Sequence, residues 1–285
     1  MEHYDILIIG GGAAGIAAAQ ASHGVRVLLA DRKPALGGVL LQCAHQGFGK
    51  NKTGPEYTED LLTDFPEHIT LALNTTVLSV SENKTALLSG RDFGRKEIGF
   101  SQLILATGCR EIPMGALPIG GNRPKGVYTA GQMQELMNLH GFLPEGPVVI
   151  LGSGDLGLIM AKQLAQAGLA VTLVEKKPEC GGMAKNRRCL REFPIHLICD
   201  DTVAEVRGYP RITGCITAAG AELPCKTLLI AAGLRPEREL VSHLENSDWL
   251  HICGNCRMVH PMVEAVVNEG TQAATAAIEN LRGAL

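Results

Sequence analysis

Tyr4-Asp5-Ile6-Leu7-Ile8-Ile9 runs into Gly10-Gly11-Gly12-Ala13-Ala14-Gly15, and Val25-Arg26-Val27-Leu28-Leu29-Ala30 ends at Asp31. Small residues between the two apolar runs predict a helix to about His23. The order strand, glycine turn, helix, strand and acid is what a dinucleotide requires. Gly10 permits the tight turn and Gly12 lets backbone N–H groups approach a pyrophosphate. Gly15 lets the helix pack closely on the sheet, and the helix N-terminus directs partial positive charge at the anion. Asp31 can then accept hydrogen bonds from ribose hydroxyls. A glycine-rich turn alone is common; strand, helix and acid in place around it make it specific.

The pattern returns further along. Val148-Val149-Ile150-Leu151 leads into Gly152-Ser153-Gly154-Asp155-Leu156-Gly157, and a helix runs on to Gly168. Ala170-Val171-Thr172-Leu173-Val174 then ends at Glu175. The first glycines stand 142 residues apart and the acids 144 apart, a period far too long for a solenoid. A whole functional unit is repeated, so two dinucleotides are expected. The fold class is α/β, with two Rossmann-like three-layer domains.

Between the repeats, an amphipathic helix is expected over residues 57–65 and short strands over 69–73, 76–80 and 84–88. A buried strand over 103–106 closes in Thr107-Gly108. Pro113, Pro118 and Pro124, with Gly115, Gly120 and Gly121, read as a linker before a helix over 132–140. A meander over 195–216, a strand over 227–231 and a closing strand over 249–253 follow. The last element is a helix over 261–281.

Composition narrows the function classes. Hydrophobic content of 46% and 34 glycines suit an α/β protein with a proper core. The net charge of −3 gives no reason to expect nucleic acid or an anionic membrane as partner. No stretch approaches the ~20 apolar residues of a membrane helix, and no signal-like segment opens the chain, so a cytoplasmic location is expected. The nine cysteines are an odd number in a large chain and do not read as a disulfide framework. Cys199, Cys215 and Cys225 lie in or beside strand-like segments and read as small buried apolar residues.

Over nearly its whole length the chain resembles the two-dinucleotide-binding-domain flavoproteins, the pyridine nucleotide-disulfide oxidoreductase superfamily, in its thioredoxin-reductase-like form. The landmarks are both glycine motifs, Ala106-Thr107-Gly108, Gly233-x-x-Pro236, and Gly254-Asn255 before a helix. The resemblance implies a discontinuous FAD domain, 1–112 and 236–285, with an NAD(P)H domain, 113–235, inserted in it. It implies FAD contacts from Gly10, Gly12, Ala13, Ala14 and Gly15, from Asp31 and Arg32, and from Gly38, Val39, Gln42 and Val77. Ala106, Thr107, Gly108, Gly254, Asn255, Met262 and Val263 complete that set. For NAD it implies Gly152, Gly154, Asp155, Leu156, Gly157, Glu175, Lys176 and Gly233. A closer likeness is to FAD-dependent NAD(P)H oxidoreductases that accompany an anaerobic-type glycerol-3-phosphate dehydrogenase and a small iron–sulfur or cysteine-motif protein. It rests on Gly37-Gly38 through Gln42-Cys43-x-His45-x-Gly47-Phe48-Gly49, and on Thr53-Gly54-Pro55-Glu56-Tyr57. Ala106-Thr107-Gly108-Cys109-Arg110-Glu111, Gly126-Val127-Tyr128-Thr129-Ala130-Gly131, and Cys253-Gly254-Asn255 followed by His260 extend it.

Two departures stand out. The superfamily usually places Asp where Asn255 stands, and Asn is expected to accept the ribityl hydrogen bond through its carbonyl. The stretch 240–251 is short where relatives carry an extra hairpin.

The resemblance also says which thiols to look for. One superfamily pattern places a cysteine pair two and seven residues after the second glycine of Gly37-Gly38, where Leu40 and His45 stand. The thioredoxin-reductase pattern places CxxC ahead of the second glycine motif, and 126–146 contains no cysteine. Cys253-Gly254-Asn255-Cys256 is a CxxC by spelling, but Gly254-Asn255 is already assigned to FAD, and no second ligand pair is spaced for a metal. Cys43 can be read as a redox thiol or as a small buried residue. His45 and His260 can supply protons or ordinary polar contacts. Glu175 favours NADH over NADPH by repelling a 2′-phosphate, with Lys176 and Lys177 beside it. The expected function is an FAD-dependent NAD(H) oxidoreductase that passes electrons to a partner redox protein. Its rivals are a Cys43 NADH oxidase or disulfide reductase and a non-catalytic, flavin-binding regulatory protein. All three are compatible with a homo-oligomer.

Overall fold

Almost every side chain from Tyr4 to Ile9 is apolar, as expected of a parallel strand covered on both faces. In the computed structural model, which describes residues 1–283, this stretch lies inside a seven-stranded sheet. The chain divides into two units, Met1–Arg110 with the segment from Arg235 onward, and Glu111–Leu234. The breaks fall between residues 110 and 111 and between residues 234 and 235.

In chain order the first unit contributes β1 (Glu2–Ile9), α1 (Ala13–Ala21), β2 (Val27–Ala30), α2 (Gly54–Leu62) and β3 (Thr70–Ala72). Next come β4 (Thr75–Val80), β5 (Thr85–Gly90), β6 (Gly94–Leu105) and the crossing strand β7 (Cys109–Glu111). The second unit holds β8 (Gly120–Gly121), β9 (Val127–Thr129), α3 (Ala130–His140), β10 (Val148–Leu151), α4 (Asp155–Gln166) and β11 (Val171–Val174). The short helices α5 (Ala184–Arg187) and α6 (Cys189–Glu192) precede β12 (Ile195–Ile198), β13 (Val203–Arg207), β14 (Gly214–Thr217), β15 (Glu222–Pro224) and β16 (Thr227–Ile230). The crossing strand β17 (Leu234–Pro236) returns the chain to the first unit, which ends in β18 (Leu250–Ile252) and α7 (Val263–Gly283).

In the first unit the strand order is β3-β2-β1-β6-β5-β4, with β18 also on β6. β1 runs parallel to β2 and β6, so its end and theirs open on one edge, where ligands of doubly wound sheets bind. β6 is far longer than the expected 103–106 strand. Its first half pairs antiparallel with β5, and its last residues pair parallel with β18. The polar start of β6, Arg95-Lys96-Glu97, faces solvent and hides the strand from a search for apolar runs. Helix α2 begins three residues earlier than expected, because the Glu56 carboxylate accepts from both the N–H and the hydroxyl of Thr53 and caps it.

The second unit carries a parallel sheet in the order β12-β11-β10-β16-β9 and a four-stranded sheet in the order β15-β14-β13-β8. The stretch read as a linker thus supplies a strand to each. In the short stretch after β17 the first unit has a 3-10 turn, Glu239–Leu244, with Val241 and Leu244 buried.

Helix α1 is buried nearly all round and needs small neighbours. Against it lies α7, whose Ala273, Ala274 and Ala277 are buried. A Cβ on Gly270 would sit 2.1 Å from the Ala14 carbonyl oxygen, so the helices meet there at backbone distance. Gly270→Ala is expected to destabilise the protein by about 1–3 kcal/mol or more, because neither helix can recede without opening the core. Gly115→Ala, at a position where a Cβ meets nothing within 4 Å, should stay within ~0.5 kcal/mol of wild type. Urea midpoints measure both.

Candidate functional site

The two glycine motifs fold alike. Gly10 has φ +108° and a Cβ there would lie 2.4 Å from the Ala106 carbonyl oxygen; Gly152 has φ +104° and the same 2.4 Å approach to Ala231. At Gly15 and Gly157 a Cβ would collide with the carbonyl oxygens of Gly10 and Gly152, at 1.8 and 2.1 Å. These positions bring each helix start onto its sheet. Gly12 and Gly154 are different: a Cβ on either would meet nothing within 4 Å. Space is open above them, and each precedes a helix whose N-terminus has no side-chain cap.

Helix α3 shows that this bareness is local. The Thr129 hydroxyl accepts from Gln132 N–H at 3.3 Å, and the Glu111 carboxylate accepts from Gly131 and Gln132 N–H at 2.7 and 3.2 Å. At α1 and α4 no N-cap side chain takes the corresponding N–H groups, the arrangement in which a helix start can bind an anion.

The strand-end acids brace their own glycine turns. Asp31 Oδ2 accepts from Gly11 N–H at 2.5 Å, and Oδ1 accepts from Lys33 N–H at 2.7 Å. Glu175 does the same one methylene further out: Oε2 accepts from Ser153 N–H and Oγ–H at 2.8 and 2.6 Å, and Oε1 from Lys177 N–H at 3.0 Å. Burial pushes the Glu175 carboxyl up, but the Ser153 hydroxyl and the Lys177 and Ser153 N–H groups outweigh it and hold it below its usual range. Lys176 is exposed beside it.

A second element of the repeat lies beyond the glycine motifs. Asp31-Arg32-Lys33-Pro34 precedes Gly37-Gly38, and Glu175-Lys176-Lys177-Pro178 precedes Gly181-Gly182 at the same offset. Both glycine pairs close on the phosphate loops. A Cβ on Gly38 would lie 3.0 Å from Gly12 Cα, while Gly181 N–H donates to Ser153 Oγ at 2.8 Å. Asp155 adds a brace in the second unit only, accepting from Met183 N–H at 2.7 Å and from Asn186 Nδ2 at 2.6 Å. Aligning the two repeats past their acids is the signal that finds this turn.

Around α1 the structure gathers Gly12, Asp31, Gly38, Ala106 and the Gly254 turn, where a Cβ would meet Ala14 Cβ at 2.9 Å. Thr107 Oγ1 donates to the Glu237 carbonyl, and Gly108 is open with φ +76°. Val39 and Met262 are exposed, at 61% and 43%, and Val263 opens α7. Arg32 is exposed and Gln42 half-buried. Val77 packs elsewhere, on the core of the other sheet face. In the second unit Leu156 is half-buried, and Gly233 follows β16 with φ +120°. The Asn255 carbonyl is already engaged, accepting from His260 N–H at 2.9 Å.

Residues 4–251 match the pyridine nucleotide-disulphide oxidoreductase family. The chain belongs to that family. Its members are oxidoreductases that use FAD and NAD(P)H. The two bare helix starts, each with open space and a strand-end acid, fit two such dinucleotides. The chain is 33% identical over 197 residues to hydrogen cyanide synthase subunit HcnB of Pseudomonas protegens, covering 66% of this chain and 41% of the relative. It is 31% identical over 276 residues to an opine oxidase subunit of Rhizobium meliloti, covering 85% of this chain and 52% of the relative. The chain therefore spans about half, or less, of the length of these relatives. Thioredoxin reductase of Lactococcus lactis has the same fold, with a TM-score of 0.79 at 20% identity over 97% of this chain and 98% of that one. No helix among the described residues is long and apolar enough to cross a membrane.

Cys43, Cys253 and Cys256 are poorly placed for thiol chemistry. Cys43 is 8% exposed, its Sγ lies 3.3 Å from the Val39 carbonyl oxygen, and burial pushes the thiol up to about 12. Little thiolate exists there at neutral pH. Cys253 and Cys256 are buried in the core, their thiols directed at backbone carbonyls including that of Leu105, and burial raises both. His45 stacks toward Phe48 with ring centroids 5.2 Å apart, and His260 lies 3.0 Å from Glu269.

Ser153→Ala removes the hydroxyl that holds Glu175. A carboxyl with a depressed folded-state value stabilises the fold fully above its ordinary value of 4.5 and loses that contribution as pH falls through the folded value. The variant is expected to lose about 1.5–3 kcal/mol at pH 7 and to show a smaller further loss on acidification. Urea unfolding at pH 7 and below pH 4 measures both.

Proposed function

We propose that this chain is a cytoplasmic FAD-dependent NAD(H) oxidoreductase that exchanges electrons with a partner redox protein. FAD is assigned to the unit built on β1, and the nicotinamide dinucleotide to the unit built on β10. The observation that carries the reading is the pair of uncapped helix starts, each behind an open glycine and a braced acid, in a chain whose α3 is doubly capped. When bound, FAD supplies the hydride and electron chemistry. The chain's own residues bind and orient: α1 and α4 direct N–H groups at the diphosphates, and the acids face the riboses. Glu175 sets a negative charge where a 2′-phosphate would sit, which favours NADH.

The finer reading is a partner set made of a glycerol-3-phosphate-oxidising flavoprotein and a small iron–sulfur or cysteine-motif protein. What supports it is the family likeness of the stretches around Gln42-Cys43 and Cys109-Arg110-Glu111, together with relatives that are themselves subunits. The rival that uses Cys43 as a redox centre is disfavoured by the raised thiol.

Rapid anaerobic mixing with NADH is expected to bleach the bound flavin; an unbleached flavin would favour a purely regulatory role instead. An anaerobic pull-down should bring the flavoprotein and the small protein with the chain, and their absence would remove the finer reading. Gly12 and Gly154 permit a sharper test, because a Cβ there meets no protein atom within 4 Å. Gly12→Val is expected to fold and purify without yellow colour. Gly154→Val is expected to keep its flavin but to need at least about tenfold more NADH for half-maximal reduction. Absorbance at purification and NADH titration read the two outcomes.

A further inference from the structure

Glu269 stands on α7 with its side chain only 13% exposed, and three groups converge on its carboxylate. Oε2 accepts from Gly254 N–H at 2.8 Å. Oε1 lies 2.6 Å from Arg257 Nη1 and 3.0 Å from His260 Nε2. The neighbouring residue, Gly270, touches the Ala14 carbonyl, so this carboxylate is anchored beside the start of α1. A buried carboxylate is costly unless paired and hydrogen-bonded, and here it is both. It ties three positions of one turn, 254, 257 and 260, to a helix that cannot shift.

That turn decides how Asn255 is presented. His260 N–H donates to Asn255 Oδ1 at 2.9 Å, and a backbone donor fixes which end of the amide is oxygen. Nδ2 then has no partner among the described residues. An aspartate at this place would present a second acceptor; asparagine presents a donor.

We propose that Glu269 is a positioning residue of the FAD half, holding the 253–260 turn so that Asn255 meets the bound dinucleotide as a hydrogen-bond donor to an accepting oxygen. The inference rests on the assignment of FAD to this unit.

The test is titration of FAD-stripped protein with FAD, followed by flavin fluorescence. Glu269→Gln keeps an acceptor for Gly254 N–H and removes the charge that gathers Arg257 and His260. It is expected to weaken FAD binding about tenfold while the stripped protein stays folded, with any fall in its melting temperature shared by neither Asn255 variant. Asn255→Ala should weaken binding similarly, and the double variant no more than the worse single, because both act through one contact. Asn255→Asp still accepts from His260 N–H but cannot donate, and should weaken binding too. If Glu269→Gln does not fold, Asn255→Asp decides alone. Additive losses, a Glu269→Gln affinity within about twofold of wild type, or full affinity in Asn255→Asp would overturn the proposal. Failure of the wild-type protein to take up FAD would overturn the cofactor assignment and this inference with it.

Discussion

A helix that starts at a glycine, with no side chain to cap it, leaves backbone N–H groups unsatisfied, and the architecture is organised around two such starts. An N-terminal turn of this kind attracts an anion by about 0.3–1 kcal/mol at exposed sites and more when partly buried. The other glycines of each motif serve it by close approach. Gly10 and Gly15 bring α1 onto the end of β1, and Gly152 and Gly157 bring α4 onto the end of β10. Helices α2 and α3 are treated differently. Glu111 and Thr129 cap α3, and Thr53 with Glu56 caps α2.

The two units solve one problem with different side chains. Asp31 accepts from the backbone N–H groups of Gly11 and Lys33, whereas Glu175, a methylene longer, also holds the Ser153 hydroxyl, which in turn holds Gly181. The second loop is therefore locked by side chains, with Asp155 adding Met183 and Asn186. In the first unit the corresponding closure is made by backbone: Gly37 N–H donates to the Gly11 carbonyl at 2.7 Å, and Gly38 lies on Gly12.

Thiol chemistry is where burial overrules spelling. Cys253 and Cys256 have the spacing of a redox pair, yet both sit in the core behind β6 with raised thiols. Desolvation disfavours thiolate, and at Cys256 hydrogen bonds from Thr107 and nearby backbone offset it only in part. Cys43 meets the same limit.

The parallel strands, both phosphate loops and both acids were legible in the sequence, because each depends on contacts within some thirty residues and on apolar runs that betray buried strands. The start of α2 was less so: its amphipathic pattern begins at Tyr57, while the cap that Thr53 and Glu56 form opens the helix three residues sooner. The first half of β6 was hidden, since its polar residues gain strand structure only from pairing with β5. Nothing local connects Glu111 to Gly131, twenty residues on and beyond a proline-rich stretch. Nor does anything local show that the Asn255 carbonyl is taken by His260, or that Glu269 gathers Gly254, Arg257 and His260. The sequence by itself determined where two dinucleotide loops begin and end. Tertiary structure alone decided which polar groups remain free to serve a ligand, because hydrogen-bond partners are chosen by proximity after the chain has folded.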